Sequence, residues 1–163
     1  CGTGLCGPEI RPWARHLAGC DLSAGMLRRA RAKAVYDTLV RQELVAYLGQ
    51  HDAAFDLLVC ADTLCYFGAL DGVIKAACRA LRPGGWFVFT VEAMAAPGGE
   101  AGGADFTLQA NGRYAHAKEY PARLLAGAGF ELRHLRGETL RMEGGRAVSG
   151  WLIAAQRASA EQD

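Results

Sequence analysis

The stretch "DGVIKAACRALRPGGWFVFTVE", residues 71–92, contains two different hydrophobic patterns in succession. Apolar residues at 73–81 recur at the spacing of a helix, and Asp71 is placed to cap its N-terminus. A Pro-Gly-Gly triplet at 83–85 ends that pattern. The apolar run at 86–92 does not alternate with polar residues, which is typical of a strand covered on both faces. The stretch therefore predicts a helix followed by a strand of a parallel sheet.

The sequence before this stretch also alternates between strand patterns and helix patterns. The run at 55–62 is again apolar without alternation. Predicted strands are 16–21, 38–43 and 55–62, and predicted helices are 23–34, with Ser23 as N-cap, and 44–49. Strands that alternate with helices of this length form βαβ units, which predicts a doubly wound α/β sheet in three layers, αβα.

The sequence after the second strand changes to patterns of antiparallel pairing. Residues 93–104 are rich in glycine and alanine and predict a loop. Two short runs flank Asn111-Gly112, a pair that favours hairpins, and residues 118–129 predict a helix. Two longer runs on either side of 143–146 predict a second hairpin. We therefore expect a sheet that is parallel at first and antiparallel at its C-terminal edge.

The composition of the 163 residues indicates one packed domain, 1–163, and not a disordered chain, since 51% of them are hydrophobic. The net charge of +1 argues against nucleic acid as a partner, and no apolar run reaches the length of about 20 residues that a membrane span needs. The six cysteines contain no C-x2-C pair, so we expect no metal site and no disulfide scaffold. This use of cysteine favours a reducing compartment, and we expect a cytoplasmic location.

The stretch "CGTGLCG", residues 1–7, carries glycines in the pattern G-x-G-x-x-G. Gly2 and Gly4 let the backbone approach a ligand without a β-carbon in the way. Asp21 follows Gly2 by 19 residues, close to the separation at which an acidic side chain binds ribose hydroxyls in nucleotide folds. The alternative is a glycine turn with a surface acid. A nucleoside ligand here is either a nicotinamide or flavin dinucleotide or S-adenosylmethionine, and the loop alone leaves both open.

Four stretches of the chain, in their order and spacing, closely resemble class I S-adenosylmethionine-dependent methyltransferases. They are "CGTG" at 1–4, "GCDLSAGMLRRAR" at 19–31, "FDLLVCADTLCYF" at 55–67 and "LRPGGWFVFTVE" at 81–92. The resemblance runs from Cys1 to about Arg157. It implies a Rossmann-like fold, S-adenosyl-L-methionine as cofactor, and methyl transfer to a small molecule or a protein. The chain also looks like a bacterial subgroup often fused to tetratricopeptide repeats, so such repeats are a candidate upstream partner in the full-length protein.

The resemblance also implies which residues bind the cofactor. The implied contacts are Cys1, Gly2 and Gly4 at the methionine end, Asp21 at the ribose, Leu22 and Met26 at the adenine faces, Glu43 and Leu44 at the adenine edge, and Ala61 and Asp62 at the mouth of the donor site. Core packing is the alternative for Met26 and Leu44, and a merely solvated side chain is the alternative for Glu43.

Methyl transfer from a sulfonium requires little chemistry from a protein. The methyl group is already activated, so alignment with the acceptor supplies most of the catalysis, and a general base is needed only when the acceptor loses a proton. We expect residues 93–117 to form a lid that sets acceptor specificity. His116 is a candidate base in that lid, with a surface histidine in a flexible loop as the alternative. The residues expected to face the acceptor are Asp62, Tyr66, Tyr114 and His116.

The class resembled here begins with a strand and an acidic residue ahead of the glycine loop, and neither precedes Cys1. Without that strand two neighbouring strands would have unpaired edges, so we expect the chain to be a fragment in which cofactor binding is weak or lost. Two other functions stay open. One is an NAD(P)-dependent oxidoreductase, which predicts parallel pairing to the last strand. The other is a non-catalytic methyltransferase-like module for binding or assembly.

Overall fold

The computed structural model describes residues 1–94 and 103–159, which form two compact units, one of Cys1–His51 and one from Asp52 onward. The elements of the first unit are α1 (Gly7–Ile10), a 3-10 turn (Arg11–Trp13), β1 (Ala18–Asp21), α2 (Ala24–Arg31), β2 (Thr38–Arg41) and α3 (Leu44–Gly49). The strands β1 and β2 pair in parallel. The strands and helices predicted for this part of the chain are confirmed.

The ring of Tyr36 fills space that three glycines leave open in the first unit. A β-carbon added at Gly4, Gly7 or Gly19 would lie between 2.8 and 3.1 Å from that ring. Gly7 is buried and begins α1. Burial raises the pKa of the Tyr36 hydroxyl. The glycines of the loop therefore serve close packing as well as backbone conformation.

We expect Gly7→Ala to lower the free energy of unfolding by about 1–3 kcal/mol, because the added methyl group would overlap the Tyr36 ring. Gly49→Ala is the matched control, since it lies in α3 and an added β-carbon there meets no atom within 4 Å. Urea unfolding of the two variants measures the difference. Equal stabilities would contradict the packing role of Tyr36.

The second unit contains a sheet with β4 at its centre. Its elements are β3 (Phe55–Cys60), a 3-10 turn (Leu64–Tyr66), α4 (Asp71–Ala80), β4 (Leu81–Ala93), β5 (Phe106–Leu108), β6 (Tyr114–His116), α5 (Glu119–Gly127), β7 (Phe130–Glu143) and β8 (Arg146–Arg157). β3 pairs with β4 in parallel, whereas β8 pairs with β4, and β7 with β8, in antiparallel register. The β5–β6 hairpin joins the end of β4 through β6. This mixed sheet confirms the predicted fold class and contradicts the all-parallel order expected of the oxidoreductase.

The start and the end of α4 differ from the prediction. The helix ends at Ala80, and β4 begins at Leu81, ahead of the Pro-Gly-Gly triplet that was expected to separate them. Asp71 is the first helical residue and not the cap, because Leu70 occupies that position. The Asp71 carboxylate instead accepts a hydrogen bond from the Tyr120 hydroxyl at 3.2 Å. Its side chain therefore joins α4 to α5.

The two faces of the sheet differ in how deeply they are buried. Phe87, Phe89 and Val91 alternate along β4 and are buried. Leu57 and Val59 of β3 are exposed, so the expectation that this strand is covered on both faces is wrong. The apolar runs correctly predicted strands. In β3, however, the run of apolar residues does not mean that both faces are buried.

Several other predictions concern the chain as a whole. The six cysteines, all of them among the described residues, are in the thiol form and not in disulfides, and Cys60 and Cys65 are buried. Among the described residues, no helix is both long and apolar enough to cross a membrane. One domain over 1–163 with a lid at 93–117 stays a prediction, and residues 95–102 of that lid lie outside the described residues.

Candidate functional site

Asp21, at the end of β1, holds the glycine loop through its carboxylate. Oδ2 accepts a hydrogen bond from the Gly2 N–H at 2.8 Å, and Oδ1 accepts one from the Ser23 N–H at 2.8 Å. Burial alone would raise the pKa of Asp21, whereas the hydrogen bonds from the Ser23 and Gly2 N–H groups lower it. The carboxylate is therefore ionised at neutral pH. Each oxygen can accept a second hydrogen bond, so Asp21 can bind ligand hydroxyls while it holds the loop.

Gly2 and Gly4 both have positive φ angles, +57° and +77°, but their surroundings differ. A β-carbon at Gly2 would meet no atom of the protein within 4 Å, whereas one at Gly4 would lie 2.9 Å from Tyr36 and 3.1 Å from Ala30. Gly2 therefore leaves room for a ligand beside Asp21. Gly4 is required by packing within the protein, a role that the sequence did not indicate.

Leu22 and Met26, predicted to flank an adenine, are 64% and 41% exposed. Core packing was the alternative for Met26, and its exposure shows that this alternative is wrong. The Met26 N–H donates to Ser23 Oγ at 3.3 Å, which confirms Ser23 as the N-cap of α2. Both side chains are available for apolar contact with a ligand, and contact with an adenine stays a prediction.

Glu43 is the N-cap of α3. Its carboxylate accepts hydrogen bonds from the Val45 N–H at 2.9 Å and the Ala46 N–H at 2.8 Å. The alternative of a merely solvated side chain is therefore wrong. An acidic residue directly before a predicted helix is the signal for this cap. Leu44 begins α3 and is half-buried, and the contact of both residues with an adenine edge stays a prediction.

In the second unit, Asp62 follows β3 with a φ of +52°, which residues other than glycine rarely adopt. Its N–H donates to the Thr90 hydroxyl of β4 at 2.9 Å, and its Oδ1 accepts from Arg141 Nη1 at 2.7 Å. The neighbouring Ala61 is exposed. Unfavourable backbone conformations cluster at functional sites. Asp62 is thus held by two strands at the carboxyl end of β3, where parallel sheets bind ligands.

Asp62 belongs to a group of charged side chains, here called the Glu92 cluster: Asp62, Glu92, Arg113, Arg141 and Glu143. Glu92 lies near the end of β4 and is 2% exposed. Its carboxylate accepts from Arg141 Nη2 at 2.6 Å and from Gln109 Nε2 at 2.7 Å, and Arg113 Nη1 lies 3.6 Å away. Arg141 also donates to Glu143. The pairing stabilises a carboxylate that would otherwise be costly to bury.

The sequence prediction missed Glu92, Arg113 and Arg141. For Glu92 a signal was present, because an acid that ends an apolar parallel strand lies at the ligand-binding edge of the sheet. The two arginines come from separate hairpins, and no local pattern marks them.

Cys65 lies beside the cluster and, with Asp62 and Glu92, offers three potential metal-ligand atoms within 4.8 Å of one another. Burial, followed by the negative charge of Asp62, raises the pKa of the Cys65 thiol to about 12. The thiol is therefore protonated at neutral pH, and both carboxylates bind Arg141. A cysteine binds a metal as its thiolate. The protonated thiol and the two paired carboxylates therefore favour an ion-pair network over a metal site.

The other three residues expected to face an acceptor differ in their surroundings. Tyr66 is exposed, with the Arg113 guanidinium 5.5 Å from its ring centroid, and Tyr114 is half-buried. His116 is completely buried, with Nε2 3.0 Å from the Gly68 carbonyl oxygen. The interpretation of His116 as a surface histidine is wrong, because β6 pairs with β4 and the imidazole stacks with the Tyr120 ring, with centroids 6.1 Å apart. Its role as a base stays a prediction.

Because burial, the largest influence, lowers the pKa of His116, its ring is neutral at neutral pH. The unfolded chain binds the proton more tightly, with a pKa of about 6.5. The contribution of neutral His116 to stability is therefore complete above a pH of about 6.5 and is lost as the pH falls towards the lower native pKa. Each pKa unit of difference between the native and unfolded states changes the free energy of unfolding by about 1.4 kcal/mol.

Thermal unfolding between about pH 7 and about pH 5 measures this loss, which we expect to be smaller in His116→Gln than in the wild type. Glutamine keeps an N–H donor for Gly68 but does not titrate. His134→Gln, at an exposed position of β7, is the control and should behave as the wild type. The same pH dependence in His116→Gln and the wild type would contradict the prediction.

Comparison with known proteins identifies the family. A family model described as "Methyltransferase domain" matches residues 1–89, more than half of the chain. The biotin biosynthesis bifunctional protein of Saccharophagus degradans is 33% identical over 97 residues, 55% of this chain and 17% of that protein. A ubiquinone biosynthesis O-methyltransferase of Hydrogenovibrio crunogenus is 27% identical over 94 residues, 55% of this chain and 39% of that protein. The chain thus spans less than half the length of these relatives.

Solved structures match over nearly the whole chain. An S-adenosylmethionine-dependent methyltransferase from Mesorhizobium loti is 25% identical with a TM-score of 0.70, over 96% of this chain and 88% of that one. Another, from Methanosarcina mazei, shares the fold at 20% identity with a TM-score of 0.75, over 98% of this chain and 90% of that one. With fold and family match in agreement, this chain belongs to the class I S-adenosylmethionine-dependent methyltransferases.

Proposed function

We propose that this protein transfers the methyl group of S-adenosyl-L-methionine to a small-molecule acceptor. The observation that supports the proposal is the hydrogen bond between Asp21 and the Gly2 N–H, because a carboxylate able to accept from ligand hydroxyls lies beside backbone with open space. The O-methyltransferase among the relatives supports an oxygen atom as the methyl acceptor. A cytoplasmic location and upstream tetratricopeptide repeats remain predictions from the sequence.

The residues of the first unit suit this cofactor. Asp21 can accept hydrogen bonds from the ribose hydroxyls, and the exposed Leu22 and Met26 offer apolar contact to a purine. When bound, S-adenosylmethionine supplies a methyl group on a positively charged sulfur, which keeps the electron pair of the carbon–sulfur bond when the methyl group leaves. Within the first unit we assign the cofactor contacts to Cys1, Gly2, Gly4, Asp21, Leu22, Met26, Glu43 and Leu44.

We assign the acceptor to the second unit, where Asp62 and Tyr66 are exposed. Tyr66 can lie against an aromatic acceptor, and Asp62 can accept a hydrogen bond from an acceptor group. Residues 93–117 are the proposed lid, with Tyr114 as a further contact. The work of these residues is to orient the acceptor, because alignment supplies most of the rate gain in such a reaction.

Calorimetric titration of the full-length protein with S-adenosylhomocysteine and, separately, with NADH tests the cofactor. We expect S-adenosylhomocysteine alone to bind, and binding of NADH alone would overturn the proposal. Incubation with methyl-labelled S-adenosylmethionine and a cell extract then tests the transfer. A labelled small molecule is expected. Label found only in protein would identify a protein acceptor, and cofactor binding without any labelled product would favour the non-catalytic module.

A further inference from the structure

Arg141 connects the exposed Asp62 to the interior of the second unit. Its Nη1 donates to Asp62 Oδ1 at 2.7 Å, and its Nη2 donates to Glu92 Oε1 at 2.6 Å. Both Nε and Nη2 donate to Glu143 Oε2, at 3.1 and 2.9 Å. Asp62 follows β3, Glu92 lies on β4 and Arg141 lies on β7, so one guanidinium ties three elements together.

The inner end of this connection is fixed by Glu92. The carboxylate is buried, and its second oxygen accepts from Gln109 at 2.7 Å. The Arg113 guanidinium adds a second positive charge, 3.6 Å from Glu92 and 3.4 Å from Glu143. Hydrogen bonds to charged groups in a buried setting are strong and directional, so Arg141 has a defined position.

The outer end is the Asp62 carboxylate, whose side chain is 45% exposed. Oδ1 binds Arg141, whereas Oδ2 has no hydrogen-bond partner among the residues of 1–94 and 103–159. The Asp62 backbone is held separately, through its N–H on Thr90. An exposed carboxylate oxygen with a fixed position is suited to accept a hydrogen bond from a ligand.

The charges of the Glu92 cluster restrict what can bind there. Three carboxylates face two guanidinium groups, which leaves one negative charge in excess. A ligand carboxylate beside Asp62 would meet like charge, whereas a hydroxyl or amine would donate to Oδ2.

We propose that Arg141 is a positioning residue that holds Asp62 Oδ2 as the proton acceptor for a methyl acceptor carrying an O–H or N–H group. The inference rests on the proposed methyl transfer. The lone pair of the acceptor oxygen or nitrogen forms the bond to the methyl carbon as the carbon–sulfur bond breaks and leaves its electron pair on sulfur. The proton of that O–H or N–H passes to Asp62 Oδ2, and the electron pair of the broken bond stays on the acceptor atom. The excess of negative charge in the cluster stabilises the acceptor as it becomes positive.

The test measures the rate of label incorporation from S-adenosylmethionine into the small-molecule extract, with the full-length protein. The variants are Asp62→Asn, Arg141→Gln, Arg141→Lys and the double variant Asp62→Asn/Arg141→Gln. Arg136→Gln is the control, because Arg136 is an exposed arginine of the same strand that pairs with Glu138. Circular dichroism reports whether each variant is folded, and binding of S-adenosylhomocysteine is measured separately for every variant.

We expect Arg141→Gln to lower the rate about 10²-fold, the usual effect of misplacing a reacting group, with the affinity for S-adenosylhomocysteine unchanged. Arg141→Lys keeps a cation beside Glu92 and should recover part of the rate. The double variant should lose no more than Asp62→Asn alone, because Arg141 acts through Asp62. Arg136→Gln should behave as the wild type. The labelled product should resist mild alkali, as methyl ethers and methylamines do.

Independent, additive losses in the double variant would overturn the positioning role, and so would a normal rate in Arg141→Gln. A product that mild alkali hydrolyses is a methyl ester and would overturn the proposed acceptor class. If Arg141→Gln does not fold, Arg141→Lys decides, and a wild-type rate there would refute the role of Arg141. Cofactor binding without labelled product also overturns this inference. Failure of the wild type to bind S-adenosylhomocysteine would refute the proposed function itself.

Discussion

Replacement of Asp21 by alanine is expected to weaken binding of S-adenosylhomocysteine to the full-length protein by about 10²-fold or more. The carboxylate that would accept from the ligand hydroxyls is removed, and hydrogen bonds to charged groups contribute about 1.5–3 kcal/mol each. The same change releases the Gly2 and Ser23 N–H groups that Asp21 now binds at 2.8 Å. Loss of ligand contacts and loss of loop order therefore act in the same direction.

Two further variants separate these effects. Asp21→Asn keeps an amide oxygen that can hold one of the two N–H groups but has no charge, so we expect an intermediate affinity. Glu9→Ala removes an exposed acid from α1 and should leave the affinity unchanged. Calorimetric titration measures all three variants, and circular dichroism reports whether they are folded. A folded Asp21→Ala protein with wild-type affinity would remove the basis of the proposed site.

The elements of the first unit were predictable because their signals are local. Ser23 caps α2 through Met26, and α3 covers the predicted residues 44–49. The boundary at Leu81 was missed because this side chain fits both neighbouring patterns. It continues the apolar stripe of α4, and it also begins β4, opposite Phe55 of β3.

The spacing of Asp21 after the glycine loop predicted that both serve one nucleoside ligand, and the hydrogen bond from the Gly2 N–H to Asp21 was not predicted. The contact between Arg141 and Asp62 joins residues 79 positions apart and depends on the register of β7. That register shifts twice along β7, between Leu132 and His134 and again nearer Arg141. Each shift exchanges the faces of the residues that follow, so simple alternation could not place Arg141.

The burial of His116 was also beyond local patterns. The Asn111-Gly112 turn correctly indicated the hairpin of β5 and β6. The additional parallel pairing of Ala115 with Glu92 of β4 is a tertiary contact, and it converts an expected loop residue into a core residue.

Glu92→Ala is expected to lower the free energy of unfolding by about 3–5 kcal/mol, the usual effect of removing one partner from a buried ion pair. Its carboxylate now accepts from Arg141 at 2.6 Å and from Gln109 at 2.7 Å. Both donors would lose that partner in a poorly hydrated setting, and the cavity left by the side chain adds to the cost. Urea unfolding of the full-length protein, followed by circular dichroism, measures the change.

Glu143→Ala is the matched control, because the same guanidinium, that of Arg141, binds both carboxylates but the Glu143 side chain is 48% exposed. Exposed ion pairs contribute about 0–1 kcal/mol to stability. Glu92→Ala should therefore lower the free energy of unfolding several times more than Glu143→Ala does. Glu92→Gln keeps an acceptor for Arg141 without the charge and should lie between them. If Glu92→Ala and Glu143→Ala lower the free energy of unfolding equally, the burial of Glu92 does not determine the stability of the Glu92 cluster. Arg141 would then lack the fixed inner contact from which its hold on Asp62 is inferred.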